Sequence, residues 1–235
     1  MGKVLAIVQS NYIPWKGYFD LIRCADEFVL YDDVQYTRRD WRNRNRIKTA
    51  HGTQWLTIPV EVKGKYFQAV KETKVSDPNW GRDHWRTLSH CYGKAPFFRH
   101  FKDAFESLYL GRNDEFLSDV NHAWITGVCE IMGITTRITR SMDYRLTETD
   151  PTAKLLELCL QASASVYLSG PAARSYLDEG LFAGHGVAVR YMDYSGYAEY
   201  PQLHPPFEHA VTVLDLLFMV GPQASAYLER RRDAA

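Results

Sequence analysis

A short, wholly apolar run near the amino terminus limits the folds that are open to this chain. Val4–Val8 reads VLAIV, and a strand without alternating polar residues is typical of the centre of a parallel sheet covered on both faces. A loop at Gln9–Trp15, a helix that carries Phe19 and a second strand at Glu27–Tyr31 follow it. The opening therefore predicts a strand–loop–helix–strand unit of an α/β fold.

The rest of the chain continues the alternation of strands and helices. Strand patterns on either side of His51-Gly52 predict a hairpin, with its arms at Arg44–Ala50 and Trp55–Val62. Further strands are predicted at Thr135–Ile138, Val166–Leu168 and Val187–Tyr191. The predicted helices are Asn79–Tyr92, Ala95–Leu110, Asp114–Met132, Pro151–Gln161, Pro171–Leu181, Thr212–Val220 and Pro222–Arg231. This spacing indicates a parallel, Rossmann-like sheet with helices on both faces, a largely helical insertion and a helical carboxyl terminus.

We expect one domain over residues 1–235, because no linker or change of composition marks a boundary. The core, with the sheet and its helices, would occupy residues 1–40 and 133–195. The hairpin and three helices of residues 41–132 would form an insertion at one edge of the sheet, and helices within residues 207–232 would complete the fold.

The segment Asp32–Lys48 is the strongest candidate for a ligand-binding loop. It follows the second predicted strand, and ligands of open α/β sheets collect at the carboxyl ends of strands. Arg grips phosphate or carboxylate through two parallel hydrogen bonds, Asn and Gln read polar edges, and aromatic rings stack on planar groups. The expected substrate-binding residues here are Gln35, Tyr36, Arg39, Asp40, Trp41, Arg42, Asn43, Arg44 and Asn45. The same composition also fits a salt-bridged structural loop, or a helix with charged pairs one turn apart.

Three residues are candidates for catalysis. Asp32 and Asp33 end the second predicted strand, where they could accept a proton from an attacking amine or hold Mg²⁺ against phosphates. They could equally pair with the nearby arginines. His84 lies on a predicted helix and could carry a proton at neutral pH, or it could be a hydrogen-bonded helix residue.

Two strand–turn–helix segments resemble phosphate sites. In the first, Gly17 follows Pro14 at a helix start, and the expected substrate-binding residues are Gln9, Asn11, Tyr12, Trp15 and Tyr18. It resembles the HxGH element of the nucleotidyltransferase and aminoacyl-tRNA synthetase superfamily, but Trp15 and Tyr18 stand where that element has histidines. In the second segment, Ser169, Gly170 and Arg174 form a candidate phosphate cradle that resembles a motif of the same superfamily, or else an ordinary capped helix with a surface Arg.

Two further positions carry polar groups in aromatic or apolar surroundings. Tyr200 and Gln202 belong to a cluster rich in Tyr and Pro, which could line an acceptor pocket or pack over the sheet edge. Asp215 lies within the apolar run VLDLLF. A carboxylate at such a position is either paired or functional.

A longer series of motifs resembles the WbqC-like family. The motifs begin with Gln9, Asn11, Tyr12, Pro14, Trp15, Gly17, Tyr18 and Phe19. They continue with DDVQY at 32–36, RDWRNRN at 39–45, WLTIPV at 55–60, APFF at 95–98, SGPAARSYL at 169–177 and YPQL at 200–203. The resemblance therefore runs over nearly the whole chain.

Members of that family commonly occur in bacterial surface-polysaccharide gene clusters, beside enzymes that make nucleotide-linked amino sugars. The resemblance implies a transferase that joins a glycyl or other acyl group to the amine of a nucleotide-activated amino sugar, in lipopolysaccharide O-antigen biosynthesis. Amino-acid transfer to an activated pyrimidine nucleotide or a DNA base is an alternative. A non-catalytic module that binds a nucleotide sugar is another.

Composition and missing motifs narrow the classes of partner and cofactor. Acidic and basic residues number 28 each, so duplex nucleic acid is disfavoured as a partner and a phosphate site should be local. No motif indicates zinc, flavin or nicotinamide, and Mg²⁺ stays open as a cofactor. The apolar amino-terminal run is too short for a signal peptide or a membrane span, and the cysteines are scattered. We expect a cytoplasmic protein with a nucleotide-linked substrate and no membrane partner; the acyl or amino-acid donor and homo-oligomer formation stay open.

Overall fold

The computed structural model describes residues 2–228 and contains two sheets. The strands are β1 (Val4–Val8), β2 (Glu27–Leu30), β3 (Arg44–Thr49), β4 (Gly52–Thr57), β5 (Arg137–Arg140), β6 (Val166–Ser169) and β7 (Ala188–Tyr191). The helices are α1 (Lys16–Arg23), α2 (Trp80–Tyr92), α3 (Phe98–Leu110), α4 (Leu117–Ile131), α5 (Pro151–Gln161), α6 (Glu179–Gly184) and α7 (Val213–Val220).

The main sheet is parallel and has the strand order β5-β2-β1-β6-β7. The chain moves outward from β1 through β2 to β5, and then returns to the other side of β1 with β6 and β7. This is a Rossmann-like order, as predicted. The direction of winding reverses between β1 and β6, and the loops that leave these two strands open a crevice at their carboxyl ends.

Helices cover both faces of the sheet. Ala6 of β1 faces a core shared with α1, the helices α2–α4 and α7, which includes Trp124 and Phe218. Leu5 and Ile7 face a second core under α5 and α6, which includes Phe182. Both faces of β1 are therefore covered, which explains why the strand has no polar residue.

The β3–β4 hairpin and helices α2–α4 lie between β2 and β5 in the chain and pack on the α1 side of the sheet. The treatment of this region as an insertion within a single domain stays a prediction. The second arm of the hairpin differs from the predicted strand Trp55–Val62. The strand β4 ends at Thr57, and beyond it Val60 forms only an isolated bridge with Val75.

The predicted helix Pro171–Leu181 is wrong. A short 3₁₀ helix at Pro171–Ser175 is followed by α6, which begins after Asp178, whose side chain accepts a hydrogen bond from the Leu181 amide. Because Asp178 caps the start of a new helix, the segment Pro171–Leu181 does not form one continuous helix. At the carboxyl terminus the predicted helix Pro222–Arg231 is a 3₁₀ helix at Gly221–Tyr227, and residues 229–232 lie outside the described part.

Asn45 holds the loop that follows β1 against β3. Its amide nitrogen donates to the carbonyl oxygens of Tyr12 (3.1 Å) and Ile13 (2.9 Å), and its oxygen accepts from the Arg46 amide. Ile13 has a φ of 36°, which is uncommon for a β-branched residue, so this loop needs external support. The Asn45 side chain provides it at a buried position.

Across residues 2–228, no helix combines the length and the apolar character that a membrane crossing requires.

We predict that Asn45→Ala lowers the free energy of unfolding by about 2–4 kcal/mol, because two buried carbonyl oxygens lose their donor. Urea unfolding monitored by circular dichroism would measure the change. Asn113→Ala, at an exposed position, is the control and should stay within about 0.5 kcal/mol of the parent. A similar small loss for Asn45→Ala would contradict the support that we assign to this side chain.

Candidate functional site

A cleft of about 550 Å³ lies at the carboxyl ends of β1 and β6, where the winding of the sheet reverses. Its polar and aromatic lining residues are Gln9, Trp15, Tyr18, Tyr31, Arg42, Thr149, Lys154, Tyr167, Ser169, Tyr176 and Tyr194. Gly170 and several aliphatic residues complete the lining. The volume falls within the range of small-molecule and cofactor sites, which is about 300–1,000 Å³.

The charges that line this cleft are of one sign. Within the described part of the chain, its charged lining residues are Arg42 and Lys154, and no carboxylate lines it. Hydroxyl groups of five tyrosines, Ser169 and Thr149 accompany the two cations. A cleft with this lining favours an anionic ligand that also has rings or hydroxyl groups.

Arg42 is largely enclosed by the protein. Its side chain is 13% exposed; Nη1 donates to Asn11 Oδ1, and Nη2 lies 3.6 Å from Asp40 Oδ2. Burial lowers the pKa of the guanidinium, and the charges of Asp40, Tyr18 and Asp32 oppose that effect. Arg has the highest pKa of the side chains, so Arg42 stays protonated and can bind a phosphate or carboxylate.

Trp15 forms one wall of the cleft, and Gly17 sets its position. A Cβ atom on Gly17 would lie 2.3 Å from the Trp15 ring, so the indole packs directly on the glycine backbone. The ring also makes edge contacts with Tyr194 and Tyr197, with centroids 5.2 and 5.9 Å apart. The absence of a side chain at Gly17 therefore leaves room for the Trp15 ring in this wall.

The second phosphate-like segment lies only partly at the cleft. Ser169 and Gly170 line it, and Ser169 is buried with its hydroxyl directed to Tyr167 Oη at 3.3 Å. Arg174 is exposed, and its guanidinium lies 4.4 Å from the centroid of the Tyr191 ring. Arg174 is not among the lining residues of the cleft, and the substrate-binding role of Ser169, Gly170 and Arg174 stays a prediction.

Asp32 and Asp33 both make hydrogen bonds that hold the edge of the sheet. Asp32 is 2% exposed and accepts a hydrogen bond from the Ser10 amide at 2.9 Å. Burial raises its pKa, while the Ser10 bonds and the charges of Arg42 and Arg140 act in the opposite direction. Asp33 pairs with Lys71 and accepts from the Ser141 hydroxyl. The partner of Asp33 is therefore a lysine distant in sequence. The catalytic roles of both residues stay predictions.

His84 lies in a buried chain of hydrogen bonds outside the cleft. Its Nε2 lies 3.2 Å from the Thr57 carbonyl oxygen and donates to it, so Nδ1 accepts from the Tyr12 hydroxyl at 2.9 Å. Tyr12 in turn accepts from Tyr109 at 2.7 Å. Burial lowers the pKa of His84 to about 4, so the ring is neutral at pH 7. These contacts occupy both nitrogens, and the proton-carrying role of His84 stays a prediction.

The remaining residues of the polar segment divide between a neighbouring pocket and structural contacts. Asn11, Trp41 and Asn45 line a smaller pocket beside the cleft, together with Trp15. The others mainly bond to protein groups, as follows: Gln35 to Tyr66 O, the Tyr36 amide to Gln68 O, Asp40 to Thr37 and the Trp41 amide, Asn43 to Ile58 O, and Arg44 to Arg39 O.

Tyr200 and Gln202 bind a buried carboxylate. Asp215 is fully buried and accepts hydrogen bonds of 2.8 Å from Tyr92, Tyr200 and Gln202. Burial raises its pKa, and these three donors partly oppose the effect. Of the two alternatives for Asp215, the structure therefore shows the paired one. The substrate-binding role of Tyr200 and Gln202 stays a prediction.

Sequence reasoning missed several residues of the cleft, of which Lys154 is the most important. Asp150 caps α5 by accepting from the Ala153 amide, and Pro151 occupies the first helical position. An Asp-Pro pair at a helix start can be recognised from sequence, and it could have indicated that Lys154, in the first turn of α5, lies near the cleft. Tyr176 and Tyr194 come from loops, whose path the sequence does not reveal.

Within residues 2–228, no cluster of three or more His, Cys, Asp or Glu side chains is arranged to hold a metal ion. Asp32 and Asp33, which were the candidate Mg²⁺ ligands, bind Ser10, Ser141 and Lys71 instead. Magnesium held by these two carboxylates stays a prediction.

The fold and the cleft together define an α/β protein of Rossmann-like strand order, with a cleft lined by two cationic side chains at the point where the winding of its sheet reverses. The chain belongs to the WbqC-like protein family, whose model matches residues 9–227. It is 50% identical over 226 residues to an uncharacterized protein of Mycobacterium tuberculosis (strain ATCC 25618 / H37Rv), Rv1507c. The match covers 96% of this chain and 97% of that protein. No solved structure matches the chain significantly.

We predict that His84 makes stability fall as the pH drops from 6.5 to 4. In that interval the unfolded chain binds a proton that the folded protein excludes, because the pKa of His84 falls from 6.5 to about 4 on folding. The difference corresponds to about 3 kcal/mol at pH 4. Urea unfolding at pH 7.5 and pH 4 should therefore show a smaller loss for His84→Gln than for the parent protein.

His51→Gln, at an exposed position, is the control and should follow the pH dependence of the parent. The same loss of stability in His84→Gln and the parent would show that the buried ring is not the source of the effect.

Proposed function

We propose that this protein is a transferase that binds a nucleotide-linked amino sugar in the cleft and joins an acyl or aminoacyl group to the amine of that sugar. One observation carries the proposal: the cleft where the sheet winding reverses has two cations, many hydroxyl groups and no carboxylate among its described lining residues. Membership of the WbqC-like family supports the class of substrate.

The lining of the cleft fits the parts of such a ligand. Arg42 and Lys154 would bind the diphosphate, because both carry a positive charge and line the same cleft. Trp15 and Tyr194 offer aromatic surfaces for a ring, and Ser169 offers a hydroxyl group for the sugar or phosphate. A neutral ligand would not gain from either positive charge.

The reaction that we propose is acyl transfer from an activated donor, either an acyl thioester or an acyl adenylate. The amine nitrogen attacks the acyl carbon, and a new C–N bond replaces the C–S or C–O bond of the donor. The thiol or the adenylate phosphate leaves with the electron pair of the broken bond. The nitrogen gives up one proton, which passes to a base and finally to the leaving group or water.

Asp32 is the carboxylate that we propose to support this proton transfer. It interacts electrostatically with both Tyr18 and Arg42 of the cleft, and its raised pKa makes it a better proton acceptor than an ordinary Asp. Because its carboxylate is buried, the proton would reach it through an intermediate group rather than directly from the amine.

A second candidate function is a module that binds a nucleotide sugar without reacting with it. The contacts of the three catalytic candidates favour this alternative, because each of them already bonds to protein groups. Amino-acid transfer to a pyrimidine nucleotide would use the same cleft with a different acceptor.

We predict that a UDP- or dTDP-linked amino sugar with a free amine raises the melting temperature of the protein. Calorimetric titration should show that Arg42→Gln binds this ligand about 10–100-fold more weakly, because a charge-assisted bond contributes about 1.5–3 kcal/mol. Lys154→Gln should also weaken binding, and higher salt should reduce the difference between variant and parent.

Arg82→Gln is the matched control, since Arg82 is exposed and lies outside the cleft. Equal affinity of the parent and of both cleft variants would contradict the proposed site. Binding that follows the cleft variants, but without product formation for any donor, would favour the binding module.

We predict that Asp32→Asn keeps the ligand affinity within about threefold but lowers turnover by about 100-fold or more, as is typical of the loss of a proton acceptor. The Asn side chain can still accept the Ser10 amide hydrogen bond through its oxygen. Product formation would be followed by mass spectrometry, with melting temperature as the measure of folding. Unchanged turnover would remove Asp32 from the mechanism.

A further inference from the structure

A second, smaller pocket lies beside the ligand cleft. Trp15 lines both cavities and forms the wall between them. The other lining residues of the small pocket are Asn11, Pro14, Trp41, Asn45, His209 and Ala210. Asn11 and Arg42 also connect the two cavities, because Arg42 lines the cleft and donates to Asn11 Oδ1. We refer to this cavity as the Trp15–Trp41 pocket.

The size of the Trp15–Trp41 pocket limits its occupant. Its volume is about 250 Å³, which is below the range of about 300–1,000 Å³ that is usual for drug-sized ligands. An acyl or aminoacyl group of a few heavy atoms therefore suits it better than a whole nucleotide sugar does.

The lining of the Trp15–Trp41 pocket differs in charge from that of the cleft. No Lys, Arg, Asp or Glu is among its described lining residues; two indole rings and Pro14 dominate it. Polar groups come from Asn11, Asn45 and His209. Asn45 is fully used by its backbone partners, whereas the Asn11 amide nitrogen donates to no group within residues 2–228. This free N–H suits a carbonyl oxygen in an otherwise neutral group.

The walls of the pocket are held in place by packing. Gly17 and Tyr194 fix the Trp15 ring from the helix and cleft sides. On the opposite wall, Trp41 packs against Trp55, with ring centroids 5.2 Å apart. A pocket with fixed aromatic walls binds a small group without first ordering its own side chains.

We propose that the Trp15–Trp41 pocket binds the acyl or aminoacyl group of the donor, while the nucleotide-linked acceptor occupies the cleft. This inference rests on the proposed transfer reaction and adds the location of its second substrate. The acyl carbon and the attacking amine would meet beside Trp15, close to the Asn11–Arg42 hydrogen bond. The Asn11 N–H would bind the acyl oxygen, on which negative charge develops during attack.

The test uses donor probes that carry no nucleotide, so that they do not compete for the cleft. Glycine and S-acetyl-N-acetylcysteamine, a small acyl thioester, would each be titrated by calorimetry into protein saturated with the UDP-linked amino sugar. We expect one of them to bind, and Trp41→Leu to weaken its binding at least about tenfold while leaving the affinity for the nucleotide sugar within about twofold. Lys154→Gln should give the opposite pattern.

Phe67→Leu is the control, because Phe67 is an exposed aromatic residue that lines neither cavity. It should leave the affinities for both classes of probe within about twofold. If the nucleotide sugar binds but neither donor probe does, or if Trp41→Leu leaves donor binding unchanged, the second-substrate pocket is refuted and the proposed cleft stands. If the nucleotide sugar does not bind the parent protein, the proposed function itself is refuted.

Discussion

The contact between the loop after β1 and the start of the β3–β4 hairpin is the constraint on which both cavities depend. The Tyr12 amide donates to Trp41 O, Asn45 donates to two carbonyls of the loop, and Arg42 donates to Asn11. These hydrogen bonds fix Trp15 and Arg42 relative to the sheet, although they belong to different segments of the chain. Without this contact, neither the cleft nor the Trp15–Trp41 pocket would have a defined wall.

Several side chains of the polar segment form hydrogen bonds with backbone groups of the protein. A loop that crosses the edge of a parallel sheet contains backbone groups that no strand satisfies, and these groups need partners once they are buried. The short amides Asn43 and Asn45 and the carboxylate Asp32 supply such partners. Arg42 differs from them because it borders the cleft. The polar segment therefore combines a side chain that borders the cleft with several that bond to the backbone.

The two cavities differ in the charge of their lining residues, and the proposal of two different substrates rests on this difference. Arg42 and Lys154 both line the cleft, whereas the adjoining pocket is neutral and aromatic. A reaction that joins a phosphate-bearing molecule to a small neutral group needs such a pair of adjacent sites. Holding both partners in reacting geometry is in itself a large part of catalysis, since it removes the entropic cost of their encounter.

The sequence alone determined the α/β class, the central place of β1 and most of the helices and strands, because apolar runs and their periodicity record which faces are buried. It also located the edge of the sheet that carries the cleft, through the residues that follow β1, β2 and β6. Only the tertiary structure decided which side chains border the cleft. Lys154 and Arg42 are 112 positions apart in the sequence, and Asp33 pairs with Lys71 rather than a nearby arginine. Such pairings depend on where loops cross in space, which local patterns do not encode.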